Sequence, residues 1–170
     1  MVQAKSNIVL IGMPGCGKST IGVLLAKRLG LHFADTDLFI QAGEGKSLRR
    51  LIEVHGMRQF CEIECGYIER VNVTGAVIAT GGSAVYYDSA MQHLQTLGTI
   101  VYMQLPLTEL RRRLGDLNAR GVVLEPTETL DSLYQKRIPL YEQWADLTVN
   151  LSGLNHESSV EAILTALERR

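Results

Sequence analysis

Short apolar runs alternate along the chain with longer stretches of helical period. Residues 7–11, Asn-Ile-Val-Leu-Ile, carry no polar alternation, as expected of a strand covered on both faces. After a glycine-rich turn, Ile21, Leu24, Leu25 and Leu29 recur on one helical stripe, which Gly30 ends. Further strands are expected at 32–34, 76–79, 99–103 and 147–151. Leu107, Leu110 and Leu114 mark one later helix; Leu130, Leu133, Tyr134 and Tyr141 mark another, interrupted or bent near Pro139. Ser158 and Glu161 stand in capping-box spacing ahead of a last helix with Val160, Ile163, Leu164 and Leu167 on one face. This alternation predicts an α/β fold, a five-stranded parallel sheet flanked by helices. Between two of the helices, 115–126 holds two glycines in mixed polarity and is expected to form a mobile lid.

The bulk properties narrow the picture. A chain of 170 residues suffices for one domain with a real core, so 1–170 is expected to be a single unit. The 18 acidic and 17 basic residues nearly cancel, so no global field favours nucleic acid or an anionic membrane. Aromatics are only 6% of residues, too few for a base-stacking platform. Residues 1–7 are short and polar, and no apolar stretch approaches spanning length, which predicts a cytoplasmic protein. Three cysteines, Cys16, Cys61 and Cys65, do not pair evenly and fit a reducing compartment; Cys61 and Cys65 read as small apolar residues. No heptad pattern demands a partner, so a monomer is expected.

Residues 12–20, Gly-Met-Pro-Gly-Cys-Gly-Lys-Ser-Thr, satisfy the phosphate-loop pattern between a strand and an amphipathic helix. Gly12, Gly15 and Gly17 allow the backbone to curl so that its N–H groups, Cys16 included, converge on phosphate oxygens at a helix N-terminus. Lys18 is expected to neutralise the β- and γ-phosphates of ATP, Ser19 to offer a hydroxyl to Mg2+, and Thr20 to pack nearby. The loop alone leaves open GTPases, motor ATPases, nucleotide kinases and metabolite kinases. Asp35-Thr36-Asp37 follows the second strand, at the sheet edge where open α/β proteins bind ligands. One carboxylate there can reach Mg2+ through water. The other can orient an acceptor hydroxyl and take its proton.

With these residues in order, the chain resembles the shikimate kinase family of P-loop kinases. The resemblance rests on the 12–20 loop, Asp35-Thr36-Asp37, the 60–64 segment after Gly56, Thr80-Gly-Gly-Ser-Ala-Val at 80–85, Arg120, and Lys-Arg-Ile-Pro-Leu-Tyr at 136–141. It implies a P-loop kinase fold that transfers the ATP γ-phosphate to shikimate, giving shikimate 3-phosphate. It also implies roles for residues: Asp37 binds ring hydroxyls and acts as base, Asp35 helps hold Mg2+, and Gly81 and Gly82 let the backbone approach the acceptor. Arg137 pairs with the acceptor's carboxylate, Arg120 closes over the transferring phosphate, and Arg113 flanks the adenine. The family has an arginine after the phenylalanine matched by Phe60; here the position holds Cys61, and the third glycine of the family's run is Ser83. Arg58, three residues before Cys61, is expected to share its helix face and reach the same carboxylate. An acceptor other than shikimate, a hydroxy acid or polyol needing one arginine, stays open, as does a nucleotide-binding relative without catalysis.

Overall fold

The computed structural model describes residues 7–115, 124–125 and 127–169. Five strands, β1 (Asn7–Ile11), β2 (His32–Asp35), β3 (Ala76–Ala79), β4 (Gly98–Gln104) and β5 (Leu147–Asn150), form one parallel sheet in the order β2-β3-β1-β4-β5. Among the described residues seven α-helices connect or flank them: α1 (Lys18–Leu29), α2 (Thr36–Glu44), α3 (Leu48–Ile68), α4 (Asp88–Leu97), α5 (Leu107–Leu114), α6 (Leu130–Trp144) and α7 (His156–Glu168). β1 and β3 are buried throughout, which is why they read as unbroken apolar runs.

Asn7 opens the central strand without apolar character and is buried. Its side-chain nitrogen donates to the carbonyls of Val73 and Leu97, and its oxygen accepts from the Ala76 N–H. One amide therefore ties the entry of β1 to the chain preceding its neighbours β3 and β4. Asn7→Ala would orphan three buried backbone groups and should cost about 3 kcal/mol, seen as a lower urea midpoint at unchanged m-value.

Three local expectations are corrected. The stripe of α1 is narrower than its leucines suggest: Ile21, Gly22, Leu25 and Ala26 are buried, whereas Leu24 and Leu29 are 38% and 40% exposed. Gly22 sets the contact, since a Cβ there would lie 2.7 Å from the Phe33 ring, so the helix packs through its small residues. The cap of α7 is Asn155, whose side chain accepts from the Ser158 N–H; Glu161 instead pairs with Arg28 across an exposed surface. α6 is not interrupted at Pro139: the carbonyl deprived of its donor belongs to Gln135, which is exposed and open to solvent.

The register brings three loops to one sheet edge. Asp35 pairs with Ala79, and Ala79 with Leu10, so the segments after β2, β3 and β1 leave together. Thr80 locks this edge, donating from N–H and hydroxyl to the Leu10 carbonyl at 3.3 and 2.9 Å. The expected lid falls mostly on residues 116–123 and 126, outside the described residues.

Candidate active site

The loop after β1 has Gly12, Gly15 and Gly17 at φ of 150°, 79° and 98°, a left-handed series that side chains resist. Gly17 caps α1, so the loop ends at the positive end of that helix. The buried Lys18 ammonium donates to the carbonyls of Gly12 at 2.7 Å and Met13 at 2.9 Å, bridging the loop from within, with the Cys16 sulfur 3.7 Å away. From α5, the Arg113 guanidinium reaches the Cys16 carbonyl at 3.5 Å and Glu109 at 3.6 Å, which sets it beside the loop.

Asp35 ends β2 and caps α2, with one donor on each carboxylate oxygen. The Ser19 hydroxyl donates to Oδ2 at 2.7 Å and the Asp37 N–H to Oδ1 at 2.9 Å. The β2–α2 turn thus pins Asp37 relative to Ser19 through a single carboxylate. Ser19 and Asp35 offer adjacent hard oxygens beside the loop, a donor set that suits Mg2+ sharing its shell with water and phosphate. No group of three or more acidic, histidine or cysteine ligands occurs among the described residues, so phosphates and water would complete that shell.

A cavity of about 370 Å³ runs from Gly15, Lys18, Ser19 and Thr20 to Asp37, Gly81, Gly82 and Arg137. Leu48, Ile52, Met57 and Phe60 form its apolar side. Asp37 is buried there: desolvation, then the Asp35 charge, push its carboxyl up to about 6 against the lowering pull of Lys18. Arg137 is buried on α6. It donates from Nε to the Tyr86 hydroxyl at 2.9 Å and lies over the Tyr86 ring at 5.0 Å. Tyr141, stacked on Tyr102, donates to the Gly82 carbonyl at 2.6 Å and holds the 80–83 segment.

The two glycines are demanded by proximity. A Cβ on Gly81 would lie 2.1 Å from Glu64 Oε1 and 2.9 Å from Asp37 Oδ1; one on Gly82 would lie 2.8 Å from Arg137 Nη1 and 2.9 Å from Pro14 Cδ. Gly82→Ala should therefore displace Arg137 and lower kcat/KM for the acceptor about 10²-fold, with the KM for ATP nearly unchanged, in steady-state kinetics with each substrate varied in turn.

These contacts expose Glu64, which the sequence reading left inside a motif without a role. It is 1% exposed, takes a hydrogen bond on Oε2 from the Ser83 hydroxyl, and has no partner on Oε1 among the described residues. Burial above all, with the Asp37 charge adding, raises it to about 7, against lowering by Ser83 and Arg137. The signal was present: Phe60, Cys61, Glu64, Cys65 and Ile68 form the buried face of α3, and an acidic residue on such a stripe needs a reason.

The shikimate kinase family model matches residues 14–168. The chain belongs to the shikimate kinase family. A shikimate kinase of Clostridium botulinum (strain 657 / Type Ba4) is 35% identical over 167 residues, 96% of each chain, and one of Thermodesulfovibrio yellowstonii is 36% identical over 166 residues, 96% of this chain and 95% of the other. The structure of shikimate kinase from Acinetobacter baumannii in complex with shikimate superposes with a TM-score of 0.88 at 27% identity, covering 96% of this chain and 93% of that one. Membership makes the chain a kinase with a hydroxyl acceptor, and the five-stranded parallel sheet is the P-loop kinase fold of its structural neighbours.

Against that family background, the expected reach of Arg58 to the acceptor is not met by the geometry. Arg58 does not line the cavity: its side chain is 93% exposed and pairs with Glu62 at 3.4 Å. Arg58 and Cys61 both follow the break at Gly56, and on that segment Arg58 stands off the buried stripe of Phe60, Cys61, Glu64, Cys65 and Ile68, on the solvent side with Glu62. Cys61 is buried behind the cavity wall, facing an adjoining space with Arg58, Tyr86 and Arg137. Arg120 lies outside the described residues.

Proposed function

We propose that this chain transfers the γ-phosphoryl group of ATP, with Mg2+, directly to a hydroxyl of shikimate to give shikimate 3-phosphate. One observation carries the reading: a single cavity of a shikimate kinase family chain holds the phosphate loop at one end and Asp37, Gly81, Gly82 and Arg137 at the other. Lys18 and the loop N–H groups bind the β- and γ-phosphates, and Arg113 flanks the base. Ser19 and Asp35 would hold Mg2+, which when bound neutralises phosphate charge as it develops. Arg137 pairs with the carboxylate of shikimate and turns the ring so that its hydroxyl meets Asp37. A carboxyl raised toward neutrality accepts that proton more readily than an ordinary aspartate. Gly81 and Gly82 allow the ring to approach the backbone.

We further propose a cytoplasmic monomer acting on small molecules. The three cysteines are free, which suits a reducing compartment, and one chain supplies every described residue of the cavity. No described helix is long and apolar enough to cross a membrane.

The test is ADP release with Mg2+ and ATP, comparing shikimate, no acceptor and a panel of hydroxy acids and polyols. Shikimate-dependent turnover supports the reading. Release with another hydroxy acid but not shikimate moves the acceptor to one satisfied by Arg137 alone, the alternative that Cys61 favours.

A further inference from the structure

Glu64 is the buried ionisable group of the cavity with the least explanation. No lysine or arginine among the described residues forms an ion pair with it, its sole hydrogen bond comes from the neutral hydroxyl of Ser83, and Oε1 points unpartnered toward Gly81. On the other side of that same point lies Asp37 Oδ1. From its own helix it is backed by Cys61, buried and in the field of Glu64, Ser83 and Arg137. The charged groups around it are Asp37 on α2, Lys18 on α1 and Arg137 on α6. A buried carboxyl next to a second carboxyl, without a cation of its own, is shifted toward its neutral form.

This arrangement bears on Arg137, the one guanidinium on the acceptor side of the cavity among the described residues. An anionic Glu64 would draw on the positive field of Arg137 and repel an incoming carboxylate; a neutral Glu64 does neither. We propose that Ser83 and Cys61 are positioning residues: the Ser83 hydroxyl orients Glu64 and the Cys61 thiol offers it no cation, so that burial presents an uncharged carboxyl to the cavity and leaves the charge of Arg137 to an anionic acceptor. An arginine at position 61 would achieve the same end differently, by pairing with an ionised Glu64. The loss of an arginine and the gain of a serine are on this view one coupled change, and Oε1 is free to hydrogen-bond a ring hydroxyl across from Asp37. The inference rests on the reading of shikimate as acceptor.

The device has a cost in pH range, and that cost is its signature. Glu64 ionises as pH rises through its raised value, so affinity for an anionic acceptor falls on the alkaline side. The experiment measures the KM for shikimate and for ATP from pH 6 to 9 in the wild type, Glu64→Gln, Ser83→Ala and Cys61→Arg. A carboxamide analogue of shikimate serves as an uncharged acceptor. The wild-type KM for shikimate should rise about tenfold across this range while that for ATP stays level, and the carboxamide should show no such rise. Glu64→Gln should abolish the rise, and so should Cys61→Arg, which also lowers the KM for shikimate. In Ser83→Ala the rise should move to higher pH, because the lost hydrogen bond had favoured the ionised form. A level wild-type profile, or the same rise in Glu64→Gln, overturns the inference while leaving the acceptor intact. Absence of shikimate-dependent turnover at every pH overturns the acceptor reading and the inference with it.

Discussion

Asp37→Asn should lower kcat about 10²- to 10⁴-fold, the span associated with removing a positioned general base, while nucleotide affinity changes little. The substitution keeps the shape of the side chain and the N–H bond to Asp35 that fixes its place, so the loss reports on the proton-accepting oxygen and not on a collapsed turn. Single-turnover kinetics separates this from a binding defect: the chemical step slows and acceptor saturation is retained. A rise confined to acceptor KM, with kcat unchanged, would reassign Asp37 to binding alone.

Lys18→Met is expected to have the second large effect, a loss of about 10²- to 10³-fold in kcat, the scale of removing one preorganised charge from a developing phosphoryl oxyanion. Lys18 is buried, and its ammonium already spans the Gly12 and Met13 carbonyls, so its position is prepared before any phosphate arrives. Methionine conserves the apolar stem but not the donors. Nucleotide titration alongside kcat distinguishes the two contributions, since the lysine contacts phosphate in both ground and transition states. The fold should survive, because the 12–20 loop is shaped by its glycines.

The nucleotide half of this site was legible because its information is local. A strand, a glycine loop and a helix in immediate succession state where Lys18 and Ser19 will stand, and the same contiguity delivers Asp35 and Asp37 at the end of β2. Asp35 carries more than was read from it, serving as helix cap and as clamp on Ser19 together. The acceptor half depends on residues far apart in the chain, where the sequence reading was weaker. Glu64 on α3, Ser83 after β3 and Arg137 on α6 meet only in three dimensions. The Ser83 to Glu64 bond was invisible for that reason, although an acidic residue on the buried stripe of α3 announced that something had to receive it.

Arg58 shows the opposite failure, an inference from spacing taken too far. Three residues back from Cys61 is about 60° around the helix, enough to leave the buried stripe and set Arg58 at its solvent edge beside Glu62. The exposed Leu24 and Leu29 teach a related lesson: periodicity marks which residues are apolar, and the small residues Gly22 and Ala26 decide which strip of α1 touches the sheet.

If one cavity joins ATP to shikimate for direct transfer, the γ-phosphate must appear in the product. Phosphorus NMR of a reaction containing the protein, ATP, Mg2+ and shikimate should show the γ-phosphate signal replaced stoichiometrically by a single phosphomonoester of shikimate, with no inorganic phosphate beyond a shikimate-free control. Accumulation of inorganic phosphate at the same rate with and without shikimate, and no phosphomonoester, would contradict the account and leave a nucleotide-hydrolysing relative in its place.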